Sequence, residues 1–235
     1  LQGDNPAYSA GNIALAMVQD ANVAVFGTKE KWKMLGRSVP ASENGNGIHI
    51  FARSTFGKGY TLADAYDVRQ TQGRPLKEVH LQNDTREMES AMTTLLNYAV
   101  CQVVIDKELD TPAVYDPQRM ELAINPDYPD HEMFAAIATA VAHSRLHGKG
   151  YNAQYDYAES DLDAQSVSYL LCRRFGVERD LPDTAELPAL YDGWDAQERR
   201  QALDQIQKMS KQIGASVEKS ITPQRSRVPM QHNGR

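Results

Sequence analysis

No run in this chain approaches the roughly 20 consecutive apolar residues that a bilayer's hydrocarbon core demands, which excludes a membrane-spanning helix. The amino terminus also lacks the charged-then-apolar layout of a secretion signal, so a soluble protein with no membrane partner is expected. Cysteine is scarce. Only Cys101 and Cys172 are present, in apolar surroundings within an expected strand and an expected helix. That usage excludes a disulfide framework, suits reduced core thiols and points to the cytoplasm. An initiator methionine is missing too, and the abrupt start at Leu1 suggests a piece of something longer. No internal repeat is present.

The absence that bears most on function lies inside one segment. Residues Phe134 to His147 read as an apolar helix ending at Gly148, and His143 stands where the second histidine of an H-E-x-x-H zinc site would sit. Thr139 and Ala140 occupy the positions of the first histidine and the glutamate. Such a site needs two imidazoles one helical turn apart and a carboxylate that takes a proton from zinc-bound water. Without that carboxylate, peptide hydrolysis has no evident base. His143 and His147 are themselves four residues apart, so they share a face and form a possible zinc-binding pair. The competing role for His147, close to the helix end, is to satisfy terminal carbonyls. Glu132 and Glu159 are the conceivable substitute bases, with Glu132 expected to precede the helix.

What is present in quantity is enough apolar material for a proper core: 235 residues, 41% of them hydrophobic, fit one large domain or two small ones. We read two, at residues 1–75 and 76–221, followed by a flexible basic tail at 222–235. Residues 1–75 carry eight Lys/Arg and six Asp/Glu (+2), and residues 219–235 carry four basic and no acidic residues (+4). With a total of −6, residues 76–218 therefore hold −12. So acidic a middle repels a phosphate backbone, which confines nucleic-acid contact to the amino-terminal part or the tail. Ordinary solvated surface is the alternative account of the same asymmetry.

Apolar spacing and caps predict a helix over Tyr8–Gln19 with Ser9 as a cap, a short strand at Val23–Phe26 and a capped helix over Thr28–Gly36. A loop at Val39–Gly47 and two strand-like stretches, Ile48–Phe51 and Ala63–Val68, complete a small mixed unit that closes at Gln72–Pro75. The second part reads as a helix over 84–99 and a strand over 101–105. A hairpin of Ala113–Tyr115 against Met120–Ile124, turned by Asp116-Pro117, comes next. Helices at 134–147, 158–175 and 196–220 follow, so the fold class is α+β. In the first part aromatic side chains interleave with cations, as a single-strand groove requires. Trp32, Phe51, Phe56, Tyr60 and Tyr66 are the candidate platforms; Lys29, Lys31, Lys33, Arg37, Arg53, Lys58, Arg69 and Arg74 are the candidate phosphate partners. Set against this, Trp32 and Phe51 also suit a small core, and Arg37 and Arg69 suit ion pairs with Asp67.

Tyr8-Ser9 with Asn12, then Trp32-Lys-Met-Leu-Gly36-Arg37-Ser-Val39, Gly47-Ile48 and Tyr66-Asp67-Val-Arg-Gln70-Thr71 run in an order that resembles the ArdC-type antirestriction and LtrC-like proteins of plasmids and conjugative elements. The resemblance implies an amino-terminal single-stranded-DNA-binding domain followed by a zincin-like metallopeptidase domain. It extends over nearly the whole chain, through Tyr157-Ala-Glu-Ser-Asp161-Leu-Asp-Ala-Gln165 and the Tyr191/Trp194 pair. It also implies that the third metal ligand falls on Asp161, where relatives tend to carry glutamate, completing a set of His143, His147 and Asp161. The loop Pro40 to Asn46 departs from the short, lysine-rich loop of the family in being longer and free of basic residues.

The reading that results is a mobile-element accessory protein that binds single-stranded DNA through Lys29, Lys31, Trp32, Lys33, Arg37, Arg53, Lys58, Tyr66 and Arg69. Its second domain is a degenerate zincin-like unit acting as scaffold or interaction surface. No cofactor is expected, zinc being the one the ligand set would take. Its protein partners belong to a conjugation or replication system. Two other readings stand beside it: a working metallopeptidase with an atypical site, and a pure interaction module.

Overall fold

A computed structural model of the chain describes residues 1–54, 57–148, 155–185 and 187–222. Phe56 and the tail from residue 223 onward therefore lie outside the described residues. The first helix, α1 (Ala10–Gln19), starts where Ser9 accepts a hydrogen bond from the Asn12 N–H, and it buries Ile13 and Ala16. Thr28 caps α2 (Lys29–Met34) in the same way, and α2 buries Trp32. Strands β1 (Phe26–Gly27), β3 (Ile48–Arg53) and β4 (Tyr60–Asp67) form an antiparallel sheet of order β1-β4-β3. Alternation along β3 sends Ile48 and Ile50 inward, onto a core with Ile13, Ala16, Phe26 and Ala65. His49, Phe51 and Arg53 consequently face out.

The edges of this sheet are closed by side-chain amides, a feature that the sequence pattern does not announce. Asn12 accepts from the Phe51 N–H at 2.8 Å and donates to the Phe51 carbonyl at 2.9 Å. Gln19, two turns further along α1, does the same to His49, at 2.8 Å in both directions. Asn5 serves the segment leading into β1, accepting from the Phe26 N–H (3.0 Å) and donating to the Ala24 carbonyl (2.6 Å). Each amide presents the donor and acceptor that a neighbouring strand would have offered, so groups that invite edge-to-edge pairing are occupied.

A second, two-stranded ladder, β2 (Arg37–Ser38) with β5 (Gln72–Gly73), lies outside what the apolar pattern predicts. It is too short to show a period. Gly73 has φ +138°, and a Cβ there would stand 2.5 Å from the Gly36 carbonyl oxygen, so the close crossing requires glycine.

In the second half, β6 (Gln102–Ile105) runs parallel to β8 (Glu121–Ile124), and β7 (Ala113–Asp116) pairs antiparallel with β8 as an edge strand of this sheet. The β7–β8 turn is built as expected, the Asp116 carboxylate accepting from the Gln118 and Arg119 N–H groups. The helices are α3 (Arg86–Leu96), α4 (Asp130–Gly148), α5 (Tyr157–Phe175), the single-turn α6 (Leu187–Leu190) and α7 (Ala196–Ile221). Met88, Leu95, Phe134, Ile137, Val141, Leu171, Phe175 and Ile213 pack into one core between them. Cys172 is buried there and Cys101 half-buried, both free thiols pushed above the ordinary cysteine range chiefly by burial, Cys172 to about 11.

The two halves meet along α7 and α5. Gln207 donates to the Pro6 and Tyr8 carbonyls, both at 3.1 Å, and Arg173 pairs with Asp4 at 3.1 Å. Among the described residues no helix is long and apolar enough to cross a membrane. The whole is a mixed α+β fold of small, mostly antiparallel sheets and helices.

Candidate nucleic-acid face and the cleft beside His143

The nine residues expected to touch DNA separate into two groups once their surroundings are known. A stacking platform has to show a ring face to solvent. Trp32 is fully buried with its indole N–H donating to the Tyr66 carbonyl at 2.9 Å, and Tyr66 is itself buried. Both are core residues, which corrects their assignment to the interface. Lys31 is turned inward, its ammonium donating to the Phe26 carbonyl at 2.7 Å and lying over the Tyr8 ring. Burial drives its pKa down to about 8. Arg37 holds the β2–β5 crossing by donating to the Thr71 hydroxyl (2.7 Å) and the Thr71 carbonyl (2.9 Å). Arg69 is paired with Asp67 and Asp20, both at 2.6 Å, and Lys29 donates to Asn44 at 2.6 Å. These contacts explain the side chains as structure.

The remaining three cations, Lys33, Arg53 and Lys58, are exposed and make no ion pair among the described residues. Arg53 belongs to the outward face of the β3–β4 hairpin. Phe51 stands opposite Leu62 and Arg53 opposite Tyr60, so all four side chains share one face. Phe51 is 54% exposed, Tyr60 68% and Leu62 63%, values that suit a presented surface rather than a core. Lys58 lies in the adjoining turn. The opposite end of this face carries the His49–Asp64 pair at 3.1 Å.

The second location is a cleft of about 440 Å³ between β7 and α4, lined by Tyr115, Glu132, Thr139, Ala140, Gln165 and Arg179 among others. The sequence places Glu132 before the helix. Instead α4 begins at Asp130, and its acidic first turn sets Glu132 on the cleft wall. Glu159 is exposed in the first turn of α5.

His143 is wholly buried beside this cleft, with both ring nitrogens engaged. Its Nε2 faces the Asp161 Oδ1 at 3.1 Å, and since a carboxylate only accepts, Nε2 carries the proton. The Nδ1 then accepts from the Tyr155 hydroxyl at 2.8 Å, while the Tyr157 ring stacks on the imidazole at 4.0 Å. His147 has its Nδ1 2.7 Å from the Tyr115 hydroxyl and stacks on Tyr155 at 4.4 Å. The fold thus unites His143 with Asp161 and places His147 with the tyrosines. Among the described residues no group of three or more His, Cys, Asp or Glu side chains is set to hold a metal ion. On the far side, Arg179 donates to the Ser168 hydroxyl (2.7 Å), the Ala135 carbonyl (3.1 Å) and the Thr139 hydroxyl (3.2 Å). A guanidinium therefore sits against the residue standing where the first histidine of the motif belongs, and a dication there meets like charge. Thr139 and Ala140 thus supply neither a ligand nor a base at the first two positions of the motif, and Arg179 stands against the first.

Desolvation lowers the His143 pKa from 6.5, outweighing the upward pull of Asp161. A folded-state value below the unfolded one means that the unfolded chain takes up the proton first as pH falls. The stability contribution is thus complete above 6.5 and is lost as pH drops through that value toward the folded pKa. Urea titrations from about pH 7 down to about pH 5 should show stability declining by up to about 1.4 kcal/mol per unit from this group. His143→Asn should flatten that decline; an unchanged slope in the variant would assign it to other groups.

No protein-family model and no curated protein matches the chain. Among solved structures, the metal-free antirestriction protein ArdC from plasmid R388 aligns over 91% of this chain and 85% of that one, with a TM-score of 0.50 and 14% identity. The chain has an ArdC-like fold. A manganese(II)-bound structure of the same ArdC aligns over 92% and 89%, with a TM-score of 0.49 and 17% identity.

Sequence spacing pointed to His143 and the resemblance to Asp161, but neither pointed to Arg179, Tyr155 or Tyr115. Arg179 lies in the short stretch after α5, and no periodicity or motif marks it; only the return of that stretch across α4 brings it to Thr139.

Proposed function

We propose that the chain is an accessory protein of a mobile element that binds single-stranded DNA on the outer face of its β3–β4 hairpin. Its second half is read as a zincin-like unit that has given up hydrolysis and serves as scaffold or interaction surface. The observation that carries the first statement is the exposure of Phe51 and Tyr60 on one sheet face beside Arg53. Bases stack on such rings regardless of sequence, and Arg53 and Lys58 supply the phosphate contacts. Likeness in fold to an antirestriction protein of a plasmid is consistent with a role of that kind. The experiment is fluorescence anisotropy with a labelled single-stranded oligonucleotide. Binding should be tightest at low salt and weaken with a logarithmic slope of about −0.7 for each phosphate neutralised. Absence of binding at low salt would remove the reading.

The second statement rests on Thr139 and Ala140 at the positions of ligand and base, with Arg179 packed against the first. Protein purified without chelator should carry far less than one zinc per chain by plasma mass spectrometry. The close approach of His143 Nε2 to Asp161 favours one competing reading, a metallopeptidase using His143, His147 and Asp161. Stoichiometric zinc that disappears in both His143→Ala and Asp161→Ala would establish it.

A further inference from the structure

Between the two halves lies another cavity, of about 630 Å³, walled by α1, α5, α7 and the residues Leu181, Pro182, Thr184, Leu187 and Tyr191. Its walls are apolar, with Ile13 and Met17 from α1, Leu162 and Leu170 from α5, and Leu203 and Ile206 from α7. Met17 and Leu203 are each about half exposed, leaving apolar surface against water in a concave setting of small-molecule size. One carboxylate of α5 is set in this wall. Asp163 is half-buried, and among the described residues its one hydrogen bond comes from the Tyr191 hydroxyl at 3.4 Å. It has no ion-pair partner among the described residues; Arg199, on the same wall, makes no ion pair with it. Burial pushes the carboxyl above the ordinary aspartate range, with only the Tyr191 contact opposing. A half-buried carboxylate in an apolar wall is complemented by a cation on an apolar body, since the Arg199 of that wall makes no ion pair with it.

We infer that the cavity between α1, α5 and α7 binds a small apolar molecule carrying one protonated amine, with the ammonium on Asp163 and the body against Ile13, Leu170, Leu203 and Ile206. The inference does not rest on DNA binding or on the fate of the His143 cleft. It is tested on the full chain by calorimetric titration with three probes of one shape: aminoadamantane, hydroxyadamantane and adamantane carboxylate. The amine should bind at least about tenfold more tightly than the alcohol, and the carboxylate more weakly than either. Asp163→Asn should bring the amine down to the affinity of the alcohol. Ala14→Phe, which fills the cavity from a position already exposed on α1, should abolish binding of all three. Equal affinity for amine and alcohol, an amine affinity untouched by Asp163→Asn, or no binding of any probe would each overturn the assignment. So would a concentration-dependent dimer dispersed by Leu203→Glu, which would give this face to a second copy of the chain.

Discussion

Asn5→Leu should destabilise the protein by about 2–5 kcal/mol, the largest effect we expect from a single polar substitution in the amino-terminal sheet. Asn5 is fully buried and spends its amide on three backbone groups: the Phe26 N–H at 3.0 Å, the Ala24 carbonyl at 2.6 Å and the Leu1 carbonyl at 3.0 Å. Leucine has nearly the same volume, so packing is largely preserved. What is lost is the partner of the buried Phe26 N–H, a stranded donor costing about 1–3 kcal/mol, and of the more accessible Ala24 carbonyl, while the polar amide leaves a fully buried position. Asn12→Leu strands the same pair of groups on Phe51, but at a sheet edge closer to solvent, so a smaller loss is expected. Urea unfolding reads both, as a lower midpoint at unchanged slope. A midpoint for Asn5→Leu within about 0.5 kcal/mol of the parent would show that the amide does not act as a substitute strand.

Phe51→Ala and Tyr60→Ala should each weaken single-stranded DNA binding by roughly 5- to 150-fold, the range set by about 1–3 kcal/mol of stacking per base. Both rings stand outside the core, so the substitutions should leave the unfolding midpoint nearly unchanged. Their salt dependence should match that of the parent, because no phosphate contact is removed. Arg53→Ala should show the reverse: a modest loss of affinity and a shallower salt slope. Trp32→Ala serves as the contrasting case. Emptying a core position filled by a fully buried indole should cost about 3–5 kcal/mol of stability, so any loss of DNA binding there would follow from unfolding. Unaltered affinity in the Phe51 and Tyr60 variants would place the nucleic-acid contact elsewhere or deny it.

Most of the elements were legible along the chain because their signals are local. Ser9 and Thr28 each sit one residue before a helix and cap it, and the Asp116 turn closes the predicted hairpin. Helices α4, α5 and α7 lie within a few residues of where the sequence places them, since α4 is a long apolar run and α5 and α7 are long segments bounded by breaks in the pattern. The β2–β5 ladder escaped notice for the opposite reason. Two residues per strand give no alternation to read.

The candidate interface was less legible, because an aromatic among lysines looks the same in sequence whether it faces solvent or the core. Trp32 and Phe51 were both named as platforms and both named as core. Burial took Trp32 and exposure took Phe51, a division set by which side of the sheet each element packs on. The same holds for the cations: Lys31 and Arg37 spend their donors on backbone carbonyls, while Arg53 and Lys58 are exposed and make no such bond among the described residues.

Most helices and strands, and the missing histidine and glutamate at Thr139 and Ala140, are readable along the chain because caps, periods and motif spacings act between residues close in sequence. That Asn5, Asn12 and Gln19 finish the sheet edges, that Arg179 presses on Thr139, and that Asp163 meets Tyr191 in an apolar wall are facts of the folded chain. Each of those pairings joins residues far apart in sequence, and whether a polar group is satisfied or stranded depends on what the fold brings against it.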